Sequence, residues 1–343
     1  MEGSTRLRHG RLKTPPVGFS VVMSILLLIF ANCHPRESNL FADVLFHQRL
    51  ATYRSQVQKL LERKRVENCV MKVPWYHIKL GGRWTGGHNF GDDMNLDLAS
   101  AVLKIRREEV WSTTRRSFDG KVLAIGSTLT HSMPNDMVFG TGLAVSSPDA
   151  APESRLWKRL THTRIYSLRG PISARAIARF GLSSPKSYGD LGITASILIW
   201  PDLQYRKEAT HDVCVIPHAT DETLKLESYE RNLTVFSISP EFPKYLTERM
   251  LTCSRVISSS LHALMIAQAY NIPAFWYSGP DSPKIDKFLD YFLGVGIVGV
   301  TRYSSLEEAL HLKSERVPVL DPAVMFNIAK QFINTFPFDK VCY

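Results

Sequence analysis

The sequence predicts an α/β protein in which two Rossmann-like domains face each other across a cleft, behind an N-terminal membrane anchor and a helical stalk. Two observations predict the domains: short runs of β-branched and aromatic residues alternate with helical patterns, and this alternation occurs in two successive series. A third observation, an uncharged apolar segment close to the N-terminus, predicts the anchor. Strands that alternate with helices favour parallel sheets with helices on both faces.

Composition and charge place the chain among globular proteins. With 343 residues, of which 44% are hydrophobic, it can bury one large core or two cores of ordinary domain size. The formal net charge is +10, but basic residues crowd only the N-terminus and form no stripe on a folded face, which argues against a nucleic-acid partner. The five cysteines show no C-x-x-C pair and no Cys/His spacing suited to zinc, so no metal site is expected.

The N-terminal segments predict the membrane topology. Residues 1–16 carry the basic cluster and form a cytosolic tail, whereas residues 17–33 contain an apolar run without charge, so the following chain lies across the membrane. The run suits a signal anchor or the apolar region of a cleaved signal peptide, and the poor cleavage site at Ala31, Asn32 and Cys33 favours the anchor. A buried N-terminal helix of a cytosolic protein is the alternative.

Residues 34–70 are interpreted as a helical stalk, because apolar residues recur at roughly helical spacing between residues 40 and 65. Anchor, stalk and globular part in this order are the layout of many Golgi transferases. We therefore expect a single-pass type II protein of a secretory-pathway membrane, in the Golgi, with a lumenal globular part. The sequon at Asn232 agrees with lumenal exposure. In an oxidising lumen, disulfides are expected to form with open connectivity among Cys69, Cys214, Cys253 and Cys342.

The globular part divides into an N-terminal domain at residues 71–205 and a C-terminal domain at residues 206–343, with a linker at residues 199–210. The strands predicted for the first domain are residues 73–78, 122–125, 137–139 and 165–168, and its helices are residues 94–105 and 172–180. The strands predicted for the second domain are residues 213–216, 234–238, 256–258 and 274–277, and its helices are residues 222–231, 240–251, 261–270, 305–312 and 322–332.

A glycine-broken loop at residues 89–95, Asn-Phe-Gly-Asp-Asp-Met-Asn, enters the first helix. Glycine lets the backbone approach a ligand, and free N–H groups at a helix start suit an anion or a hydroxyl-rich molecule. Asn89 and Asp92 are therefore candidate ligand-binding residues. The competing interpretation is that Asp92 only caps the helix.

Arg169 ends a predicted strand, two residues before a predicted helix, in the sequence Ser-Leu-Arg-Gly-Pro-Ile-Ser. A guanidinium at the carboxyl end of a strand can hold a phosphate or carboxylate through two parallel hydrogen bonds. The alternative is a surface salt bridge.

A second strand-to-helix turn contains Ser258, Ser259 and Ser260, and His262 follows in the first helical turn. Serine hydroxyls together with helix N–H groups form a phosphate cradle, and a histidine there can donate a proton or a hydrogen bond. Weaker signals come from Asp190, after Tyr-Gly, and from His218, after Ile-Pro, which are also explained by turn chemistry.

Taken in order, NFGDDMN, GST, FGTGL, LRGPIS, YGDLG, VIPH and ISSSLHALMIAQAYNIP resemble the motifs of the polysaccharide pyruvyl transferase family, from about residue 76 to residue 277. The resemblance implies a fold similar to the GT-B glycosyltransferases, phosphoenolpyruvate as donor, and a sugar hydroxyl pair of a polysaccharide or glycan as acceptor. It also implies donor contacts for Arg169 and His262. Several family members have arginine immediately before Leu-His, where this chain has Ser260.

Transfer of pyruvate as a ketal needs a general acid, a general base and a cationic phosphate clamp. We assign the clamp to Arg169 and the serines 258–260, donor contact and proton donation to His262, and the acceptor hydroxyls to Asn89, Asp92 and His131, without metal or cofactor. Two rival classes are a GT-B-type nucleotide-sugar glycosyltransferase and a catalytically inactive glycan-binding relative.

Overall fold

The computed structural model describes residues 35–76, 89–115, 120–143, 160, 162–203, 209–218, 233–235, 243–279, 285–311 and 317–343. The chain divides into two compact units, Met1–Gln48 and Arg49–Tyr343. Both sheets belong to the second unit.

Within the described ranges, the strands form two parallel sheets of five strands each. The first sheet consists of β1 (Trp75–Tyr76), β2 (Ser112–Thr113), β3 (Val122–Leu123), β4 (Met137–Phe139) and β5 (Arg164–Ser167), in the order β2-β1-β3-β4-β5. The second sheet consists of β6 (His211–Ile216), β7 (Leu233–Val235), β8 (Cys253–Ser258), β9 (Ala274–Tyr277) and β10 (Arg302–Tyr303), in the order β7-β6-β8-β9-β10.

Both sheets thus follow the same strand order, 2-1-3-4-5, which is one of the two common orders of doubly wound α/β folds. In each sheet the direction of winding reverses between the first and the third strand. The reversal places one ligand-binding crevice, the topological switch point, at the carboxyl ends of β1 and β3, and another at the carboxyl ends of β6 and β8. The α/β class is confirmed.

The helices connect and cover the strands. In chain order they are α1 (Pro35–Lys64), α2 (Phe90–Leu103), α3 (Pro171–Ala178), α4 (Pro243–Met250), α5 (Leu261–Ala269), α6 (Ile285–Gly294), α7 (Leu306–His311), α8 (Pro322–Thr335) and α9 (Phe338–Val341). Helix α3 begins with Pro171, whose missing N–H costs nothing at the first helical position. Helix α5 is buried along most of its length, which is why its sequence, LHALMIAQA, has no polar face.

Most elements of the globular part lie where the sequence predicts them. The bounds of β4 and β9 coincide with the prediction, and the other predicted strands and helices differ at their ends by a few residues. The predicted helix at residues 222–231 lies outside the described residues. The sequence interpretation missed the edge strands β2 and β10 and the helices α6 and α9.

Helix α1 is confirmed as a helix, but its second half is not a free-standing stalk. From Arg49 onwards it belongs to the larger compact unit. Val57 and Leu61 are fully buried, and the ring of Tyr53 stacks on Phe326 of α8 with 4.7 Å between the ring centroids. Arg54 donates to the carbonyl oxygen of Ser196, with 2.7 Å from Nε to O. The segment therefore contributes to the folded body.

No helix in the described part of the chain is long and apolar enough to cross a membrane. The predicted cytosolic tail and the anchor at residues 17–33 lie outside the described residues, as does the sequon asparagine, Asn232. The anchor and its topology stay predictions.

Two disulfides resolve the open connectivity of the cysteines. Cys69, just after α1, pairs with Cys342, close to the C-terminus, and Cys214 of β6 pairs with Cys253 of β8. The first bond links positions separated by 273 residues and so joins the two ends of the larger unit. Closing so long a loop restricts the unfolded chain strongly.

We predict that replacing Cys69 and Cys342 together by serine lowers the free energy of unfolding by about 2 to 5 kcal/mol, because the unfolded chain regains the entropy of the open loop. Denaturant unfolding of the wild type and the double variant, each with and without reductant, checks this. Reductant should shift the wild type towards the variant. Equal midpoints for the two unreduced proteins would contradict the prediction.

Candidate functional site

The first switch point is built by a buried amide that connects α2 to the end of β3. Asn95 of α2 is fully buried, and its side chain exchanges two hydrogen bonds with Ile125, just after β3: Nδ2 donates to the Ile125 carbonyl at 3.0 Å, and Oδ1 accepts from the Ile125 N–H at 2.9 Å. These bonds fix the start of α2 beside the carboxyl end of β3.

The start of α2 also touches the start of α5 from the second sheet. A Cβ atom added to Gly91 would lie 1.8 Å from Nδ1 of His262, so the imidazole rests directly against the backbone of α2. Only glycine permits this approach. The predicted motifs at residues 89–95 and 258–262 therefore belong to one site.

Asp92 is buried within this site. Asn89 Nδ2 donates to Asp92 Oδ2, and a Cβ atom on Gly126, whose φ is +107°, would lie 2.4 Å from Asp92 Oδ1. The pKa of Asp92 is raised to about 8, chiefly by burial and then by the negative charge of Asp93, while the positive charge of Lys287 opposes the rise. The carboxyl group is thus largely protonated at neutral pH.

Asp190 is a second buried carboxyl group beside the same loop. Its oxygens accept from the N–H of Gly192 at 3.0 Å and from the N–H of Gly126 at 3.4 Å. Burial raises the pKa of Asp190 to about 7, although these N–H donors and the charge of Arg169 oppose the rise. Two buried carboxyl groups with raised pKa values therefore lie beside Gly126. In the sequence, Asp190 was a weaker signal that turn chemistry also explains.

His262 has the opposite shift. The pKa of His262 is lowered to about 3, chiefly by burial and also by the positive charges of Lys287 and Arg169. Its Nε2 atom is shielded from solvent and has no hydrogen-bond partner among the described residues. The imidazole is neutral at neutral pH, so it offers a hydrogen bond and holds no proton that it can release as an acid.

Arg169 does not project into open space. It is 1% exposed, and three of its nitrogens are occupied: Nε donates to Asp290 Oδ2 at 3.1 Å, Nη1 donates to Ser127 Oγ at 2.8 Å, and Nη2 donates to the carbonyl of Leu143. The guanidinium binds a carboxylate, as the sequence suggested it could, but that carboxylate belongs to Asp290 of α6.

Asp290 also caps helix α3. Its Oδ1 accepts from the N–H groups of Ile172 and Ser173 at 2.9 and 3.0 Å, and its Oδ2 accepts from Ser173 Oγ at 2.6 Å. The anion-binding features of the Arg-Gly-Pro turn, a guanidinium and a helix N-terminus, are both occupied by this one carboxylate.

The hydroxyls of Ser258 and Ser259 shape the second switch point from within. Ser258 Oγ donates to the Ile216 carbonyl at 2.6 Å and accepts from the N–H of Ser260 at 2.9 Å, while Ser259 Oγ accepts from the N–H of His218 at 2.9 Å. Ser260 is the N-cap residue of α5 but makes no side-chain capping bond. The first turn of α5 is therefore not capped by this side chain.

His131 lies after β3, where Nδ1 is 3.0 Å from the hydroxyl of Tyr76 at the end of β1. Tyr76 is buried, so His131 is fixed at the first switch point. Its predicted acceptor-side position is compatible with this location. Asn232, the predicted glycosylation site, lies outside the described residues.

Four site residues escaped the sequence interpretation or were undervalued by it: Asn95, Asp190, Lys287 and Asp290. Asn95 closes the Asn-Phe-Gly-Asp-Asp-Met-Asn motif and Asp190 belongs to Tyr-Gly-Asp, so both had a local signal. Lys287 and Asp290 lie on α6, whose apolar residues Phe288, Tyr291 and Phe292 recur at helical spacing. Among the described residues, no group of three or more His, Cys, Asp or Glu side chains is arranged to hold a metal ion.

No protein-family model matches the chain. Among curated proteins it is similar to Uncharacterized protein L143 of Acanthamoeba polyphaga mimivirus, with 28% identity over 181 residues, which is 50% of this chain and 59% of the viral protein. The chain thus matches less than two thirds of the length of that relative, whose name states no activity.

We predict that Gly91→Ala lowers the melting temperature, because the new Cβ would overlap the imidazole of His262. The direction of the change in stability is informative, because replacing glycine by alanine inside a helix otherwise stabilises the protein by about 1 kcal/mol. Gly279→Ala, whose Cβ would lie 4.0 Å from the Tyr277 hydroxyl, is the control and should be nearly neutral. In a His262→Ala background the loss should disappear. A persistent loss there would refute the contact.

We further predict a pH-dependent stability from Asp92. Because its folded-state pKa of about 8 exceeds the unfolded value of about 3.9, the folded state binds the extra proton between these values, and stability falls as pH rises from 4 to 8. Asp92→Asn removes this contribution. The variant should therefore gain stability relative to the wild type between pH 5 and 8, measured by denaturant unfolding at fixed salt, and a constant difference would disprove the raised pKa.

Proposed function

We propose that the protein is a pyruvyltransferase, which moves the pyruvyl group of phosphoenolpyruvate onto a pair of sugar hydroxyls of a polysaccharide or glycan and forms a pyruvate ketal. The resemblance of its motifs to the polysaccharide pyruvyl transferases suggests the reaction. The observation that carries the proposal is the protonated carboxyl group of Asp92, buried beside the neutral His262 where the two helix starts meet. A GT-B-like arrangement of the two sheets is part of the proposal.

The reaction begins with protonation of a carbon atom. A proton adds to the methylene carbon of phosphoenolpyruvate, which becomes a methyl group, and the first sugar oxygen bonds to the neighbouring carbon and loses its proton to a base. The second sugar oxygen then bonds to the same carbon, the carbon–oxygen bond to phosphate breaks, and the proton of the second hydroxyl leaves with the inorganic phosphate. The acid must carry its proton at neutral pH, and its pKa must lie near that pH.

The pKa values lead us to revise the roles assigned from the sequence. With a pKa of about 8, Asp92 is suited to donate the proton, whereas His262, with a pKa of about 3, is suited to hydrogen-bond the donor through Nε2. Asp190, with a pKa of about 7, can accept a hydroxyl proton. Asn89 orients Asp92 by donating to its carboxyl group. In the proposed reaction His131 and Asn89 contact the acceptor hydroxyls, and Arg169 positions the loop through Ser127.

A nucleotide-sugar glycosyltransferase on the same architecture protonates no carbon atom, so the reaction in heavy water separates the two candidates. Pyruvyl transfer in D₂O should place one deuterium in the methyl group of the ketal, which mass spectrometry of the glycan product detects. Stabilisation by uridine or guanosine diphosphate sugars, without phosphate release from phosphoenolpyruvate, would favour the glycosyltransferase. An absence of both would favour the glycan-binding relative.

We predict that Asp92→Asn lowers turnover by roughly 10²- to 10⁴-fold, the range for a lost general acid or base, because the amide holds no transferable proton. The Michaelis constant for phosphoenolpyruvate should change only a few-fold. Asp97→Asn is the matched control on the same helix: Asp97 pairs with Arg107 at 3.2 Å and should be dispensable for turnover. Full turnover in the Asp92 variant, or an equal loss in both, would remove Asp92 from the chemistry.

The proposal places this reaction in the secretory-pathway lumen, most specifically in the Golgi. The basic flank of the apolar segment, the sequon at Asn232 and the two disulfides support an oxidising compartment. Protease treatment of intact microsomes should leave the domain after residue 48 undigested until detergent is added. Digestion without detergent would contradict the type II topology.

A further inference from the structure

A basic groove lies between helices α1 and α8, within the larger compact unit. It has a volume of about 270 Å³ and is lined by six residues: Gln56, Lys59, Leu60 and Arg63 of α1, and Phe326 and Lys330 of α8. The residues from α1 recur at helical spacing and the two from α8 are four positions apart, so each set lies on one face of its helix. None of the six belongs to the candidate site described above. This surface is called the α1/α8 groove.

The three cations that line the groove have no acidic partner among the described residues. No described carboxylate lies within ion-pair distance of Lys59, Arg63 or Lys330, and all three residues are exposed. Helix α8 contains no acidic residue. Glu62, the only acidic residue of α1 from position 49 onwards, lines a different cleft. Acidic and basic side chains are thus separated here, and the groove carries positive charge.

Helix electrostatics do not account for this set of cations. Arg63 lies in the last turn of α1, where the partial negative charge of the C-terminus favours a cation. That effect falls off within one turn, so it reaches neither Lys59 nor Lys330, which lies inside α8. Lys59 and Arg63 are also four positions apart, and like charges at this spacing disfavour a helix. An anion in the groove would relieve this repulsion.

The groove also has an apolar base. Leu60 and Phe326 are partly buried. The ring of Phe326 stacks on Tyr53 with 4.7 Å between the ring centroids, and Lys330 Nζ lies 5.9 Å from the Phe326 centroid. Gln56 adds an amide, which can both donate and accept hydrogen bonds. Apolar surface combined with a few polar groups is typical of sites for organic ligands. The groove therefore suits an anionic sugar, with its C–H faces and hydroxyls, better than a simple inorganic anion.

We propose that the α1/α8 groove binds an anionic glycan, one whose sugars carry carboxylate or sulfate groups. Charge complementarity favours the anion, and the apolar base and the amide favour the sugar. Pockets for small ligands measure roughly 300 to 1,000 Å³, so a groove of about 270 Å³ accommodates a short part of a longer chain. An anionic membrane fits less well, because polybasic membrane sites use clusters of about 4 to 8 Lys or Arg residues, whereas here three cations line a concave surface.

The first experiment measures glycan binding to the full chain in detergent by calorimetric titration. The ligands are a heparin hexasaccharide, a hyaluronan hexasaccharide and, as a neutral sugar, maltohexaose. The triple variant Lys59→Gln, Arg63→Gln and Lys330→Gln should bind both anionic sugars roughly 3- to 100-fold more weakly, because three exposed ion pairs are lost. Glutamine has nearly the helix propensity of the residues it replaces, so the fold should survive. Wild-type affinity in this variant would overturn the proposal.

The matched control removes the same charge from other parts of the surface. Arg164, Lys186 and Lys340 are exposed and lie outside the α1/α8 groove. Their joint replacement by glutamine should change the affinity for the two anionic sugars less than two-fold at the same salt concentration. An equal loss of affinity in both triple variants would show that only the net charge matters, and the proposed site would then be wrong.

A second measurement locates the site in the wild type. Exposed lysines are acetylated by N-hydroxysuccinimide acetate, and peptide mass spectrometry reports the extent at each position. The heparin hexasaccharide should reduce acetylation of Lys59 and Lys330 several-fold and leave Lys340 unchanged. Absence of protection at Lys59 and Lys330, or equal protection at all three lysines, would contradict binding in the α1/α8 groove.

Other occupants would give different results. Binding of maltohexaose as tight as that of the anionic sugars would disprove recognition of charge. If vesicles of phosphatidylserine and phosphatidylcholine protect Lys59 and Lys330 more strongly than the heparin hexasaccharide does, the surface binds a membrane and the glycan proposal fails.

The inference does not rest on the proposed function, because the binding experiments use no phosphoenolpyruvate. If the α1/α8 groove binds anionic glycans but no deuterium-labelled ketal forms, the groove stands and pyruvyl transfer fails. If the ketal forms but the groove variant binds heparin and hyaluronan as the wild type does, pyruvyl transfer stands and this inference fails.

Discussion

The carboxylate of Asp290 is the interaction on which the site depends. It joins α6 to Arg169 and to the start of α3 in one buried ion pair, in which both side chains are 1% exposed. Removing one partner of such a pair costs about 3 to 5 kcal/mol, because the remaining charge stays buried and unpaired. The backbones of Gly170 and Asp290 lie too close together for a side chain at residue 170, because a Cβ on Gly170 would lie 1.7 Å from the Asp290 carbonyl oxygen. This contact fixes α6, and with it Lys287, against the first sheet.

Burial, which makes this ion pair costly to break, also shifts the pKa values of the candidate catalytic residues. Desolvation disfavours charge of either sign, so it raises the pKa of Asp92 and Asp190 and lowers that of His262. In the proposed reaction, Asp92, which holds a proton at neutral pH, is therefore suited to be the acid, and His262 is suited to be a hydrogen-bonding partner. Desolvation alone thus makes Asp92 and His262 suited to different tasks in the proposed reaction.

The sequence predicted the interior of the fold better than its margins. Central strands such as β4 and β9 carry enough apolar and aromatic residues to be recognised, whereas β2 and β10 are two-residue edge strands, which pairing with a neighbour defines more than local propensity does. The motif around Asp92 was found because glycine breaks the loop before a helix, and the motif around His262 was found because it lies at a strand-to-helix turn. Their protonation could not be read from the sequence, because it depends on burial between elements far apart in the chain. For the same reason, no local pattern linked Asp290 to Arg169 across 121 residues.

The shared strand order explains why two dissimilar turns form one site. In the described residues, the direction of winding reverses once in each sheet. A helix starts at each of these switch points: α2 at the first sheet and α5 at the second. At the first sheet, the helix that follows β1 carries Asp92 in its first turn, and burial keeps this carboxyl group protonated at neutral pH. At the second sheet, the helix that follows β8 carries Ser260 and His262 at its start, and neither is negatively charged. In the proposed reaction, the first sheet contributes the proton donor, Asp92, and the second contributes the hydrogen-bonding imidazole of His262. The two meet because Gly91, which lacks a side chain, lets the start of α2 lie directly against His262 at the start of α5.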